Sequence, residues 1–270
     1  MSAPARDKVQ IADTAANLET LTTSQIDGLA AIGVTGLVST NANVSYSPTQ
    51  TAAILSSGLT VSAPASDTVT ENFANGDYSV YQGGQLIQQQ TVNADGSYDV
   101  AYFGVTSKAY SSYEDIYSSA GTLIADAQNN VNGTGTLLLS ASGLTVTSSA
   151  GSDSVTVGSD TFAVTPQSVE TTNVQNSMSS ETFVYGPGFG QDTVIGFLET
   201  GSTHDLLQFS ASTYGFPSGQ SQTADAQALL NNYASGTTNT VITDPQSDAL
   251  TINNHSISTF QNNRQDFKFT

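Results

Sequence analysis

The sequence predicts a mostly β protein: a small α/β repeat array at the N-terminus, an antiparallel β meander in the middle, and a C-terminal module of short strands with one helix. Three observations lead there. Turn glycines recur about every dozen residues through the middle of the chain, with alternating apolar strands between them. Helical spacing of apolar residues is confined to a few short stretches. Only 10% of the residues are charged, against roughly 25% in an average soluble domain, and Gly, Ser, Thr, Asn and Gln fill the difference. The 270 residues divide into sections at 1–65, 66–165 and 166–270.

The first section reads as two helix-then-strand units. Thr22 or Ser24 caps an apolar run holding Ile26, Leu29, Ala30 and Ile32, Gly33 stops it, and Thr35-Gly-Leu-Val-Ser-Thr follows as a strand. Ser47-Pro48 opens the second helix, Gly58 ends it, and Leu59-Thr-Val-Ser continues extended. Repetition of one supersecondary unit predicts a short stacked array.

In the second section Gly84, Gly96, Gly121, Gly133 and Gly143 punctuate the chain, with a further turn expected around Val105–Lys108. Strands are expected at Tyr78–Gln82, Gln85–Val92, Tyr98–Phe103 and Thr136–Ser140, joined by turns such as Asn93-Ala-Asp-Gly and Ser119-Ala-Gly. Seven of the eleven tyrosines fall between Tyr78 and Tyr117. Tyr98 and Tyr102 share one face of a strand, which serves cross-strand packing or, if exposed, stacking on a sugar. Next, Gly151-Ser-Asp-Ser-Val-Thr-Val is repeated at once as Gly158-Ser-Asp-Thr-Phe-Ala-Val. Such a unit either sets Asp153 and Asp160 on successive rungs or marks two Asp turns of a hairpin.

Charge narrows the partners. Five Lys and Arg face 23 Asp and Glu, a net charge of −18, which removes the phosphate-neutralising term that drives nucleic-acid binding. Cations are the expected partners. With no Cys there are no disulfides or thiolate zinc sites. No apolar run reaches the length of a membrane span, and the first residues lack a signal-peptide core.

In the third section, Pro187-Gly-Phe-Gly-Gln-Asp-Thr-Val-Ile matches the nonapeptide Gly-Gly-x-Gly-x-Asp-x-U-x, U being apolar, at Gly188, Gly190, Asp192 and Val194, with Pro187 in place of the first Gly. The residue types suit calcium: glycines let carbonyls converge, Asp supplies hard anionic oxygen, and the apolar residue anchors the next strand. Asp205 and the Asp244/Asp248 pair around a Pro-Gln-Ser turn are further candidate ligands, with Asp153 and Asp160. A helix is expected at 224–234, stopped by Gly236, followed by strands from Asn239 and Asp248 and an ending Asp266-Phe-Lys-Phe.

The run from Glu181 through Asp192 to Phe197, followed by His204-Asp-Leu-Leu-Gln-Phe-Ser, resembles the C-terminal module of repeats-in-toxin (RTX) proteins and serralysin-type tails. The resemblance covers about the last third of the chain. It implies a β-roll-like module, Ca2+ as the bound ion, and a C-terminal signal read by a type I exporter. It also implies secretion to the exterior surface of a bacterium. One good nonapeptide stands here where the family stacks many, and Gly196 occupies the position before the strand Phe that often carries Asp. The expectation is therefore at most about three ions. Residues 1–62 and 76–165 look like accessory modules of large secreted bacterial proteins.

Catalysis is not expected. No His-x-x-x-His or Gly-x-Ser-x-Gly occurs, and Glu114 and Asp115, adjacent on a strand, face opposite ways. Three non-catalytic readings follow: a calcium-folded structural or adhesion component, a self-associating filament or surface layer, and a glycan-binding module built on the tyrosines.

Overall fold

The computed structural model describes residues 8–104, 110–130, 134–149, 152–157, 160–164, 169–174, 180–199 and 203–270. Contacts divide the chain within the meander into two units, Met1–Ala94 with Val100–Val105, and Asp95–Asp99 with Thr106–Thr270. Strands dominate both, as expected of a mostly β chain. The turn expected around Val105–Lys108 lies outside the described residues.

The first unit begins with β1 (Val9–Asp13), α1 (Ala15–Leu18) and α2 (Thr23–Ala31). It continues through β2 (Val34–Ser39), β3 (Val44–Tyr46), α3 (Pro48–Ser57) and β4 (Thr60–Ser62). Then come β5 (Thr68–Asn72), β6 (Tyr78–Gln82), β7 (Gln85–Val92) and β8 (Tyr98–Phe103), of which Tyr98 and Asp99 belong to the second unit. Both long helices start where capping chemistry directs. Thr22 with Gln25, and Ser47 with Gln50, form reciprocal capping boxes that satisfy otherwise orphaned N–H groups. Gly58 ends α3 in the left-handed region at φ 67°, which costs glycine nothing.

The structure adds β1 and α1 ahead of the two units read from sequence, because such short elements cannot show a period. β1, β2 and β4 form a parallel sheet in that order. Parallel partners lie 24 to 26 residues apart along the chain in each pair, as in Ile11 opposite Leu37, Leu37 opposite Val61 and Val44 opposite Val69, so the array is a stack of nearly equal rungs. Rungs approach closely at Gly36, where a Cβ would stand 2.5 Å from Thr60 Oγ1. Ile26, Leu37, Val44, Tyr46, Ile54 and Val69 bury together as its core. Beyond β5 the chain turns antiparallel through β6 and β7, the start of the expected meander.

The second unit contains β9 (Tyr110–Tyr117), β10 (Leu123–Asn130) and β11 (Thr134–Leu139), paired antiparallel. Its topology then changes. After β12 (Thr145–Ser149) come β13 (Ser152–Val157) and β14 (Asp160–Val164), then β15 (Val169–Val174), β16 (Thr182–Tyr185), β17 (Gln191–Ile195) and β18 (Leu206–Phe209). The chain ends with α4 (Gln222–Asn232), β19 (Ala234–Ser235), β20 (Thr240–Thr243) and β21 (Ala249–Ile252), then α5 (Ile257–Asn262), a 3-10 turn (Arg264–Asp266) and β22 (Phe267–Phe269).

From β11 onward the chain passes back and forth between two sheets, with β19 and β20 added beside β21 in one and β13 and β14 beside β12 in the other. β11, β15, β17 and β21 pair in parallel in one, and β12, β16, β18 and β22 pair in parallel in the other. The result is a two-sheet parallel roll. Its interior is made of columns set by register: Leu137, Val194 and Ile252 on one side, Tyr185, Phe209 and Phe269 on the other. Phe209 is the hub, with ring centroids of Tyr185, Tyr214, Phe269 and Phe267 at 5.7, 5.8, 6.3 and 6.4 Å.

Two details differ from the sequence reading. The module holds a second α-helix, α5, whose short span carries too few apolar positions to show a period. The expected 224–234 helix starts at Gln222 under a Ser221 cap and ends at Asn232, so Ala234 begins a strand instead. Of the two readings of the Gly-Ser-Asp units, the structure has the hairpin, with Asp153 opposite Val164 and Asp160 opposite Val157, and not the successive rungs. Gly151 and Gly158, and the side chains of Asp153 and Asp160, lie outside the described residues.

Candidate functional site

Parallel pairing of β17 with β21 brings together two turns that are remote in sequence. Gln191 lies opposite Ala249, so the turn at 186–190 stacks on the turn at 244–248. Gly188 and Gly190 adopt φ 76° and 89°, which lets the first turn close. The Gly188 N–H donates to Asp248 Oδ2 at 2.8 Å, and the Ala249 N–H donates to the Gly190 carbonyl at 2.8 Å. In the second turn the N–H groups of Gln246 and Asp248 donate to Asp244 Oδ1 at 2.8 and 2.9 Å. Asp244 Oδ2 is buried and has no hydrogen-bond partner among the described residues. Tyr214 stands close by: burial first, then the charges of Asp244 and Asp248, push its hydroxyl well above the usual tyrosine range.

Four of the residues read as calcium ligands, Gly188, Gly190, Asp244 and Asp248, therefore meet in one place. Asp192 does not join them in the turn. It lies inside β17, opposite Leu250, buried on the same side as Val194.

Asp205 belongs to a second group at the starts of strands in the other sheet. Its Oδ1 accepts the Glu181 N–H at 3.0 Å and its Oδ2 the Leu198 N–H at 2.9 Å. Glu181 Oε1 accepts the Gly143 N–H at 3.2 Å. Glu181, Asp205 and Asp266 are all fully buried. Asp266 has neither oxygen hydrogen-bonded among the described residues, and His204 Nε2 stands 3.7 Å from its Oδ1. Burial, then a hydrogen bond to Asp205 and that residue's charge, lift Glu181 to about 8. Burial, with Glu199 and Asp205 adding and His204 opposing, lifts Asp266 to about 7. His255 pairs with Glu199 and packs edge-on against Phe197.

The sequence reading passed over Glu181 and Asp266 as ligands, although a signal was present. Glu181-Thr-Phe-Val-Tyr, Asp205-Leu-Leu-Gln-Phe and Asp266-Phe-Lys-Phe each place an acid directly before an alternating aromatic strand. Two further carboxylate pairs sit on the meander strands. Glu114 is lifted to about 8 by burial and by the charge and hydrogen bond of Asp99. Asp115 lies opposite Asp126 and accepts the Tyr117 hydroxyl at 3.3 Å. Tyr117 in turn stacks on Tyr98, centroids 5.0 Å apart, so these rings pack across strands.

Among the described residues, no three His, Asp or Glu side chains are gathered as a metal-holding group. The stacked turns supply two carboxylates, and backbone oxygens and water would complete a calcium shell there. No helix among the described residues is long and apolar enough to cross a membrane. No protein-family model matches the chain, and comparison with curated proteins and with solved structures returns no match.

Proposed function

We propose that the chain is a secreted, non-catalytic, calcium-binding component of a bacterial exterior, ordered by calcium at the turns of its roll. One observation carries the reading: the register of β17 and β21 stacks Gly188 and Gly190 on Asp244 and Asp248, which are far apart along the chain. The donor set fits a hard cation. Its two carboxylates offer oxygen alone, they include the buried Oδ2 of Asp244, unbonded among the described residues, and they lie in a chain of net charge −18. A calcium ion there would tie two rungs together, so binding free energy becomes folding free energy. Inside a cell, where calcium is scarce, the buried carboxylates of the roll would oppose folding.

Calorimetry and thermal melts on chelator-stripped protein test the reading. Calcium raises the melting temperature, and saturation at 100 times the dissociation constant adds about 2.7 kcal/mol per independent site. Equal melting temperatures in chelator and in about 10 mM calcium, chosen to cover the weak extracellular class, would refute it. Export through a type I exporter is tested separately: deletion of residues 210–270 abolishes it and deletion of residues 1–62 does not.

A further inference from the structure

The two-residue period of β5 turns Val69 and Glu71 to the buried face of the first unit. An acid therefore stands where the alternation favours an apolar side chain. Glu71 lies opposite Tyr46 on β3 and opposite Ser79 on β6, and it is 8% exposed. Its carboxylate has no hydrogen bond or ion pair among the described residues, and no described Lys or Arg acts on it. The Tyr46 hydroxyl, itself buried and unbonded among the described residues, does not serve it either. Burial alone holds its carboxyl above the usual glutamate range, the sign of a charge taken from water without compensation.

The space in front of Glu71 is open. A groove of about 260 Å³ is lined by Leu59, Thr60, Val61, Glu71, Tyr81 and Gly84, all within the first unit. Leu59, Val61 and Tyr81 belong to or pack against the core of the array, so they form a fixed apolar wall. Thr60 Oγ1 spends its proton on the Thr35 carbonyl at 3.1 Å, which leaves its lone pairs to accept. The groove therefore combines one buried anion, one hydroxyl acceptor and an apolar, partly aromatic wall.

We propose that this groove binds a small organic ammonium ion: a primary ammonium sets its N–H groups against Glu71 and Thr60, and its carbon chain lies along Leu59, Val61 and the Tyr81 ring. Other ligands fit the groove less well. Calcium takes six to eight oxygens, and a single carboxylate beside a hydroxyl falls far short. A neutral apolar molecule would seal the carboxylate from water and leave it unpaired. An anion is repelled by Glu71 and by a chain of net charge −18, which draws cations instead. An ammonium neutralises Glu71, and its body gains contact with the apolar wall and the face of an aromatic ring. The volume lies just below the roughly 300–1,000 Å³ of drug-sized pockets, so the ligand is short.

Titration of the full chain with n-butylammonium in chelator, at constant ionic strength and followed by backbone amide NMR, tests this apart from any calcium effect. A range of about 1 to about 100 mM brackets the roughly millimolar affinity expected of so small a ligand. The expected result is saturable shifts at residues 59–61, 71, 81 and 84. Binding of 1-butanol, the neutral counterpart, should be at least about tenfold weaker, the loss of a charge-assisted hydrogen bond, and butyrate should not bind. Glu71→Gln keeps the shape of the groove and should weaken butylammonium by at least about tenfold, with the response to butanol unchanged. Where that variant fails to fold, the contrast between butylammonium and butanol on the unaltered chain still decides. Shifts that never saturate, shifts spread over the acidic surface instead of the groove, equal binding of butanol, or undiminished binding by a folded Glu71→Gln chain would each overturn the proposal.

Discussion

In the first unit the side chains that bridge neighbouring rungs are mostly neutral: threonine to carbonyl, glutamine amide to carbonyl, serine to Asp27. In the second unit the polar groups at the starts of the stacked strands are carboxylates, with Glu181, Asp205 and Asp266 buried at one set of turns and Asp244 at another. Both regions solve the same problem, the burial of polar groups between parallel rungs. A neutral hydrogen bond made across a rung contributes at any pH and in any ion. A buried carboxylate is costly unless a proton or a cation neutralises it. The array should therefore depend less on pH and ions than the roll.

The largest expected effect is in the aromatic hub of the roll. Phe209→Ala removes the ring at the centre of its column and lowers the second unit's stability by about 3–5 kcal/mol. Ile26→Ala, fully buried in the array, costs the first unit about 2–5 kcal/mol. Hydrogen exchange resolved by strand should show each loss confined to its own unit. A common loss would break the comparison by making the two stacks one cooperative body.

The second test is pH. Glu181 and Asp266 hold their protons in the folded chain after the unfolded chain has released them, so the folded state binds more protons across the interval between the two values. Stability then falls as pH rises, from 4.5 to about 8 for Glu181 and from 3.8 to about 7 for Asp266, and levels off above. Chemical denaturation in chelator between pH 4 and pH 9, a span chosen to bracket both groups at roughly a unit on either side, should show this slope in the roll. Glu181→Gln should flatten it and raise stability at the alkaline end. In the array, burial lifts Glu71, so a weaker slope of the same sign is expected there. A steeper slope in the array than in the roll would refute the contrast.

Calcium sharpens the comparison further. Asp244→Asn should shrink the calcium-dependent rise in melting temperature while leaving calcium-free stability level or slightly raised. Asp192→Asn, inside β17 and outside the stacked turns, separates ligands from core residues: if it shifts the calcium-bound and calcium-free states equally, Asp192 is not a ligand. The smallest effect is in the array. Gln50→Ala and Gln25→Ala remove the same capping box, but Gln50 also loses two carbonyl bonds to the rung before it, so it should cost about 1–2 kcal/mol more. Equal costs would mean that the cross-rung bonds contribute nothing.

Much of the array was legible in the residues themselves. Thr22 with Gln25, Ser47 with Gln50 and the stopping Gly58 act over short stretches of chain, so their geometry does not depend on distant partners. The meander strands were legible for the same reason, since alternation and turn glycines are local. The roll was less so. Its rungs are unequal: Val169 lies opposite Gln191, but Gln191 lies opposite Ala249, a far longer step because α4, β19 and β20 are inserted. An interrupted period leaves no sequence rhythm. Residue type alone marked Asp244 and Asp248 as oxygen donors. Tertiary structure decided that Asp248 stands against Gly188, that Asp192 turns into the core, and that Glu181 is buried beside Asp205. Those placements follow from strand register between segments far apart in the chain, and register is set by what the aromatic columns can pack.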